Sequence, residues 1–300
     1  MINKRLIGKE LFTCVILLIT IALTFSYLGW QMGYVGLRFS NKFGKDLSDY
    51  KRVVSIIESE YFSDFNKSEA IEKSVNGLVE SLDDPYSYYM SKDEYEKYFF
   101  QKTNMPSLEY KTIDDKTVYA KISQFGVKIK AEFSEVINQI TQNSTRNLII
   151  DLRDNTGGIA GSEVYIADQF LDSGTIYIKL DRNGKKEPQL ATSDALLKNI
   201  KVVVLTNQNT ASSAEVLIAA LAENNKAIVV GEKTKGKSTE QTFFELTDGS
   251  AIHITTAKWL TPSGKDIGGS GIEPNFFVAD EKSEESDPIY QKSLELISNY

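Results

Sequence analysis

Hydrophobic positions divide the chain into stretches of different period. Residues 11–30, LFTCVILLITIALTFSYLGW, hold 15 apolar side chains out of 20 and no charge. That matches the ~20 residues a helix needs to cross ~30 Å of hydrocarbon and predicts a transmembrane helix. From about Leu47 to Phe100 the pattern is helical, with Ile71, Val75, Leu78, Val79 and Leu82 at helical spacing until Asp83-Asp84-Pro85 stops the run. From Thr117 the chain alternates. Strand TVYAKIS, a helix from Ile129 to Thr141, strand NLIIDLR and a helix from Ser162 to Leu171 precede strands TIYIKL and KVVVLT, the segment SSAEVLIAALAEN and strand AIVVG. Near-continuous apolar strands with helices between them predict an α/β fold, a mixed sheet covered on both faces. After Gly231, TFFEL, the turn Asp248-Gly249 and SAIHITTAKW predict a β-hairpin. The charge run EKSEESD, 281–287, precedes a short amphipathic C-terminal helix.

Composition narrows the chemistry. The chain has 300 residues, 41% hydrophobic and 25% charged, which excludes a disordered tail or a collagen-like fibre. A net charge of −7 argues against nucleic acid as a partner. The single cysteine, Cys14, allows no intramolecular disulfide, and the single histidine, His253, allows no His-rich metal site. No metal or organic cofactor is implied. Lys4, Arg5 and Lys9 outweigh Glu10 before the apolar run, so the N-terminus is expected in the cytoplasm and the remainder outside. No small-x-small cleavage site follows, whereas Tyr27 and Trp30 suit an interfacial belt, so the run is expected to stay as a signal anchor. Cys14 stands near the start of that run, where a lipoprotein cysteine would follow it.

Three loops carry residues suited to chemistry. Asp154-Asn155-Thr156-Gly157-Gly158 follows a buried-looking strand, and its paired glycines let backbone N–H groups approach a ligand; an ordinary turn into a helix would read the same. In Thr210-Ala211-Ser212-Ser213-Ala214-Glu215 a serine stands between a strand and a helix, where its hydroxyl can project and the next N–H is free. Ser212 with Glu215 also fits a capping box. Residues 231–238, GEKTKGKS, match the phosphate-loop expression, but a hairpin follows in place of the helix that would hold a phosphate. An NTPase is therefore disfavoured. His253 lies in an alternating strand and reads as a packing residue, so a serine nucleophile needs another base. A deprotonated lysine can serve. Lys237 follows Ser212 by one helix and one strand. Its pKa must fall from about 10.4 to ~7–8, which desolvation can do, and Lys233 and Lys235, nearer the exposed start of the loop, are poorer candidates.

The runs LDDPYSYYM, NLIIDLRDNTGGIAGSEVYIADQFL, VVVLTNQNTASSAEVLIAALAENNKAIVVGEKTKGKSTEQ and TDGSAIHITTAKWLTPSGKDIGGSGIEPN resemble, in order, the carboxyl-terminal processing (tail-specific) serine proteases. The resemblance implies a ClpP/crotonase-like core and hydrolysis of peptide bonds. By it Ser212 is the nucleophile, Lys237 the general base and Gln241 the residue that orients the lysine amine. Gly157 or Gly158 and the N–H of Ser213 form the oxyanion hole, while Glu215 keeps its cap role. Members of that family place a PDZ domain after the PYSYY motif, whereas here only the eight residues 99–106 separate Tyr98 from Ser107, so the chain resembles a member without PDZ. Thr156 stands where proline is common. The lantibiotic-degrading branch, also anchored and without PDZ, has a histidine near PYSYY and lacks the lysine; this chain has tyrosine there and keeps Lys237. The expected divisions are a cytoplasmic tail 1–10, a membrane anchor 11–30, a linker and helical region 31–106, a protease core 107–280, and a tail with helix 281–300. The expected whole is a single-pass membrane protein with an extracytoplasmic serine endopeptidase acting on peptides or protein C-terminal regions. The rival from another class is a catalytically silent, tethered peptide-binding or immunity module.

Overall fold

A strand that is apolar along most of its length must be covered on both faces, and the runs LII, VVVL and AIVV of three adjacent strands fix the architecture. The computed structural model describes residues 47–104, 106–192, 194–281, 283 and 286–299. Helix α1 (47–60) and the first turns of α2 (Lys67–Glu80) form one unit, ending at Ser74, in which Lys67 and Glu58 pair at 2.8 Å. The second unit begins at Val75. Its elements are β1 (Tyr88–Met90), α3 (Lys92–Asn104), β2 (Leu108–Asp114), β3 (Thr117–Ile122), α4 (Ile129–Gln142), β4 (Asn147–Asp151) and α5 (Ser162–Asp168). Then come β5 (Thr175–Asp181), β6 (Lys186–Leu190), β7 (Lys201–Thr206), α6 (Ser213–Glu223), β8 (Ala227–Gly231), β9 (Thr239–Glu245), β10 (Ala251–Leu260), β11 (Phe276–Phe277) and α7 (Pro288–Asn299).

One sheet has six strands in the order β11-β8-β7-β4-β3-β2, parallel throughout except for β2 at the edge. Alternation along its strands sends Leu148, Ile150, Val202, Val204 and Val229 to one face, against Ile137 of α4, Ile166 of α5 and Leu217 of α6. Ile149, Val203, Leu205 and Val230 go to the other face, against Ile289 and Ile297 of α7. Each such side chain fully buried contributes roughly 1.5–3 kcal/mol. The second sheet is antiparallel. Strand β10 is its spine, with β9 along one edge and, along the other, β1 at residues 251–253 and β5 at residues 257–260.

The carboxyl ends of β4, β7 and β8, adjacent in the parallel sheet, release the three loops singled out in the sequence. Ligands of open α/β sheets gather at such strand ends. The mixed α/β class, the covered sheet, the hairpin and the C-terminal helix are as expected. Other parts differ. The stretch 47–100 is not wholly helical, because Tyr88–Met90 pairs with Ala251–His253 as a strand. The boundary expected near residue 106 therefore falls inside the second unit, and α7 packs into that unit's core. Strands β2 and β6 have no counterpart in the sequence pattern; β6 is exposed at all five positions and has no hydrophobic period. Among the described residues no helix is long and apolar enough to cross a membrane. The expected anchor 11–30, with Cys14, lies outside the described residues.

Candidate active site

The loop after β4 is built around Asn155, which is fully buried. Its Nδ2 donates to the Ile122 carbonyl at 2.8 Å, and its own carbonyl accepts the Ala211 N–H at 2.9 Å, joining this loop to the one that carries Ser212. Its Oδ1 accepts the Gly157 N–H at 2.8 Å. Both glycines are sterically required. At Gly157 (φ 99°) a Cβ would lie 2.7 Å from the Ser212 Cβ, and at Gly158 it would lie 2.2 Å from the Phe125 carbonyl oxygen. Gly158 forms a parallel bridge with Phe125 that uses the N–H groups of Phe125 and Ile159, leaving the Gly158 N–H without a hydrogen bond among the described residues.

Ser212 stands between β7 and α6 with φ 57° and ψ −123°, a conformation that residues other than glycine rarely adopt and that costs about 1–3 kcal/mol. Its surroundings over-determine it. Ala211 is fixed by Asn155, the Thr210 hydroxyl donates to the Leu152 carbonyl at 2.9 Å, and the Ser212 N–H donates to Glu215 Oε2 at 2.9 Å. Ser213, at the first position of α6, keeps its N–H unpaired among the described residues, as the start of a helix allows.

Glu215 does more than cap. Fully buried, its carboxylate accepts four hydrogen bonds: Ser212 N–H and Lys237 N–H on Oε2, both at 2.9 Å, and Gly236 N–H at 2.7 Å and Thr234 Oγ1 at 2.5 Å on Oε1. One side chain thus ties the serine loop to the lysine loop. Gly236 (φ 83°) permits the turn, since a Cβ there would lie 2.6 Å from the Gly271 nitrogen. Trp259 Nε1 donates to the Lys237 carbonyl at 3.1 Å and fixes the loop from β10.

The Lys237 side chain is half-buried, with Nζ 4.4 Å from the centroid of the Tyr86 ring and no ion pair among the described residues. Burial pushes its pKa below the ordinary lysine value; the Asp84 carboxylate pulls it back up, and the Lys235 charge lowers it further. Lys233 and Lys235 are exposed, as the sequence suggested. Gln241 donates through Nε2 to Thr239 Oγ1 at 2.8 Å and Thr255 Oγ1 at 3.0 Å, which leaves its Oε1 as an open acceptor. Ser212, Lys237, Gln241, Gly157, Gly158 and Ser213 all line one cavity of about 520 Å³.

The opposite wall of that cavity comes from the antiparallel sheet. Tyr88, His253 and Phe243 lie side by side on β1, β10 and β9, with ring centroids 4.8 Å and 4.2 Å from the imidazole. His253 packs in a strand as expected, and it also lines the cavity, which its sequence context did not indicate. Burial and the Lys237 charge lower its pKa, opposed by the Tyr86 backbone and Asp84. Behind the site, Arg153 binds Asp151 at 2.6 Å and Asp287 at 2.7 Å, locking the end of β4 to the start of α7.

The model of peptidase family S41 matches residues 116–278, more than half of the chain. The chain belongs to peptidase family S41. The S41 segment contains every residue the sequence nominated for chemistry, from Gly157 to Gln241. The N-terminal domain of the activating protease CtpB matches 36–94, a stretch that supplies Pro85, Tyr86 and Tyr88 to the cavity. A carboxyl-terminal-processing protease of Picosynechococcus is 37% identical over 61% of this chain and 46% of its own length. A probable CtpA-like serine protease of Staphylococcus aureus is 34% identical over 66% and 39%. The chain thus spans less than half the length of these curated relatives. Among solved structures, a photosystem II D1 C-terminal processing protease superposes with a TM-score of 0.55 at 26% identity, over 60% of this chain and 50% of that one. A lipoprotein from Streptococcus agalactiae reaches 0.62 at 20% identity, over 83% and 88%, a likeness of fold.

The S41 site departs from expectation in two places. Of the two glycines nominated for the oxyanion hole, Gly157 has its N–H taken by Asn155, so its part is to leave room for Ser212, and Gly158 alone has a donor to offer. Glu215 joins the two loops through partners 19 to 22 residues further on, a distance that helix capping cannot reveal.

Proposed function

We propose that this S41 chain is a serine endopeptidase that hydrolyses peptide bonds through Ser212 and Lys237. The observation that carries the reading is a desolvated, unpaired lysine amine sharing a cavity with a serine on a strained strand-to-helix turn, their loops tied by one buried carboxylate. In this reaction neutral Lys237 Nζ accepts the Ser212 hydroxyl proton as Oγ attacks the peptide carbonyl. The oxyanion takes hydrogen bonds from the N–H groups of Gly158 and Ser213; one such donor is worth about 3 kcal/mol in the transition state. The Lys237 ammonium then gives its proton to the leaving amine, and water hydrolyses the acyl-enzyme by the same route. Gln241, its Nε2 held by two threonines, accepts from the amine through Oε1 and adds no charge.

The apolar run 11–30 with Lys4, Arg5 and Lys9 before it supports a single-pass anchor and a catalytic part outside the cytoplasm. Three residues separate α3 from β2, too few for a domain at the point where the resemblance to tail-specific proteases implies a PDZ domain. Mass spectrometry of peptides incubated with the chain, beside Ser212→Ala and Lys237→Ala, tests the reading. Cleavage by the native chain alone is expected, with losses of about 10⁴-fold or more in the variants. Full activity in either folded variant overturns the dyad. Peptide binding without cleavage, and no labelling of Ser212 by a fluorophosphonate, would establish the silent binding module instead.

A further inference from the structure

Beside the oxyanion donors the cavity wall contains a carboxyl group for which the hydrolytic chemistry has no use. Glu163, in the first turn of α5, is only 4% exposed yet lines the cavity. Its Oε1 accepts the Gly161 N–H at 3.1 Å, whereas its Oε2 is buried and accepts no hydrogen bond among the described residues. A buried carboxyl oxygen without a donor is costly. Burial holds the Glu163 carboxyl above the ordinary carboxylate range. From the antiparallel sheet Glu240 and Tyr177 line the same cavity, and Tyr177 feels the charge of both carboxyl groups. Glu240 is already paired with Lys179 at 2.6 Å, and the Lys237 amine, which lines the same cavity, is the proposed base. Tyr177 is held protonated, its pKa pushed up to about 12 by burial and by both carboxylates, and it offers an aromatic face as well as a hydroxyl. Around Glu163 the cavity therefore offers a second carboxyl group, that of Glu240, already paired with Lys179, and the aromatic ring of Tyr177.

We infer that Glu163, with Tyr177 and Glu240, forms a specificity subsite for a basic side chain, lysine or arginine, on the substrate residue whose carbonyl Ser212 attacks. The inference rests on the endopeptidase reading and deepens it. Position assigns the residue. The Ser213 hydroxyl lies against the Glu163 carboxyl, and Ser213 and Gly158 offer the N–H groups for the attacked carbonyl. A carbonyl seated there has its own Cα one bond away, so the nearest substrate side chain belongs to that residue. Charge selects the chemistry. An ammonium or guanidinium brings donors to the orphan Oε2, gives Glu163 the counter-charge that ionisation needs, and gains a cation–π contact with Tyr177. An apolar side chain leaves the oxygen unsatisfied.

The test compares diphenyl phosphonates that carry a lysine or a norleucine side chain, with the same four carbons and with or without the terminal ammonium, as covalent labels of Ser212 in the full chain. A fluorophosphonate with no side chain normalises each protein for folded, reactive serine. The lysine reagent is expected to label the native chain about tenfold faster or more. The ratio should fall to near one in Glu163→Gln and move towards norleucine in Glu163→Ala. A structural role for Glu163 would change labelling by all reagents alike and leave the ratio unmoved. Equal or norleucine-favouring rates in the native chain, or a ratio indifferent to Glu163, overturn the subsite while the nucleophile stands. Failure of the fluorophosphonate to label the native chain overturns both readings.

Discussion

The two walls of the cavity are made by different means. The parallel sheet supplies backbone: the adjacent ends of β4 and β7 deliver the Gly158 and Ser213 N–H groups and a serine whose dihedral angles are locked by its neighbours. The antiparallel sheet supplies side chains, with Tyr88, Phe243 and His253 stacked across three strands and Gln241 pinned by Thr239 and Thr255. Geometry is decided on the first wall. On the second, polarity and charge decide the state of the amine. Changes to the first should alter how fast the reaction runs, and changes to the second should alter the pH at which it runs.

The largest effect is expected where the backbone wall meets the nucleophile. Gly157→Ala adds a Cβ within 2.7 Å of the Ser212 Cβ at a φ of 99°, and should lower kcat by about 10²-fold or more with KM less affected, measured by steady-state hydrolysis. Glu215→Gln comes next. A carboxamide cannot accept from all four donors, so at least one charge-assisted hydrogen bond is lost, worth about 1.5–3 kcal/mol. A fall of several degrees in Tm together with a drop of about tenfold or more in kcat is expected; an unchanged kcat would mean that the two loops hold each other without it.

The charged groups around the amine then give smaller, signed effects. In the proposed dyad only a neutral Lys237 accepts the serine proton, so kcat/KM should rise with pH through the free-enzyme pKa of this lysine, below the usual 10.5. The Asp84 carboxylate stabilises the ammonium. Asp84→Asn removes that stabilisation and should move the inflection to lower pH. The Lys235 charge acts in the opposite direction, so Lys235→Gln should move the inflection to higher pH, by less, because this exposed charge is screened by solvent. Shifts of the opposite sign in a pH–rate profile would mean that a different group titrates. The same depressed pKa makes a stability prediction: with the folded value below the unfolded one, the unfolded chain binds more protons between them. Stability should rise with pH through that window and gain nothing further above about 10.5.

The backbone wall was legible in the sequence because its signals are local. Paired glycines after an apolar strand, and a serine between a strand and a helix, specify their own turns. Ser212 and Lys237 could be matched by counting one helix and one strand between them. The side-chain wall was not legible, because it depends on pairing between distant segments. PYSYYM is too short to show a strand period, and nothing beside His253 announces that Tyr88 and Phe243 flank it. Glu215 read as a cap because its nearest partner, Ser212, is three residues away, while the other three lie across a crossover. Glu163 carries no signal in the sequence, because a glutamate in the first turn of a helix is ordinary and only burial makes it costly.

Strand β10 reaches three parts of the chemistry at once: His253 on the wall, Thr255 under Gln241, and Trp259 on the Lys237 carbonyl. Descendants of this chain are therefore free to lengthen or rewrite the hairpin tip at Asp248-Gly249, whereas an insertion of one residue between 253 and 259 would slide the three supports out of step. Evolutionary length variation should collect at the tip and be purged from the strand.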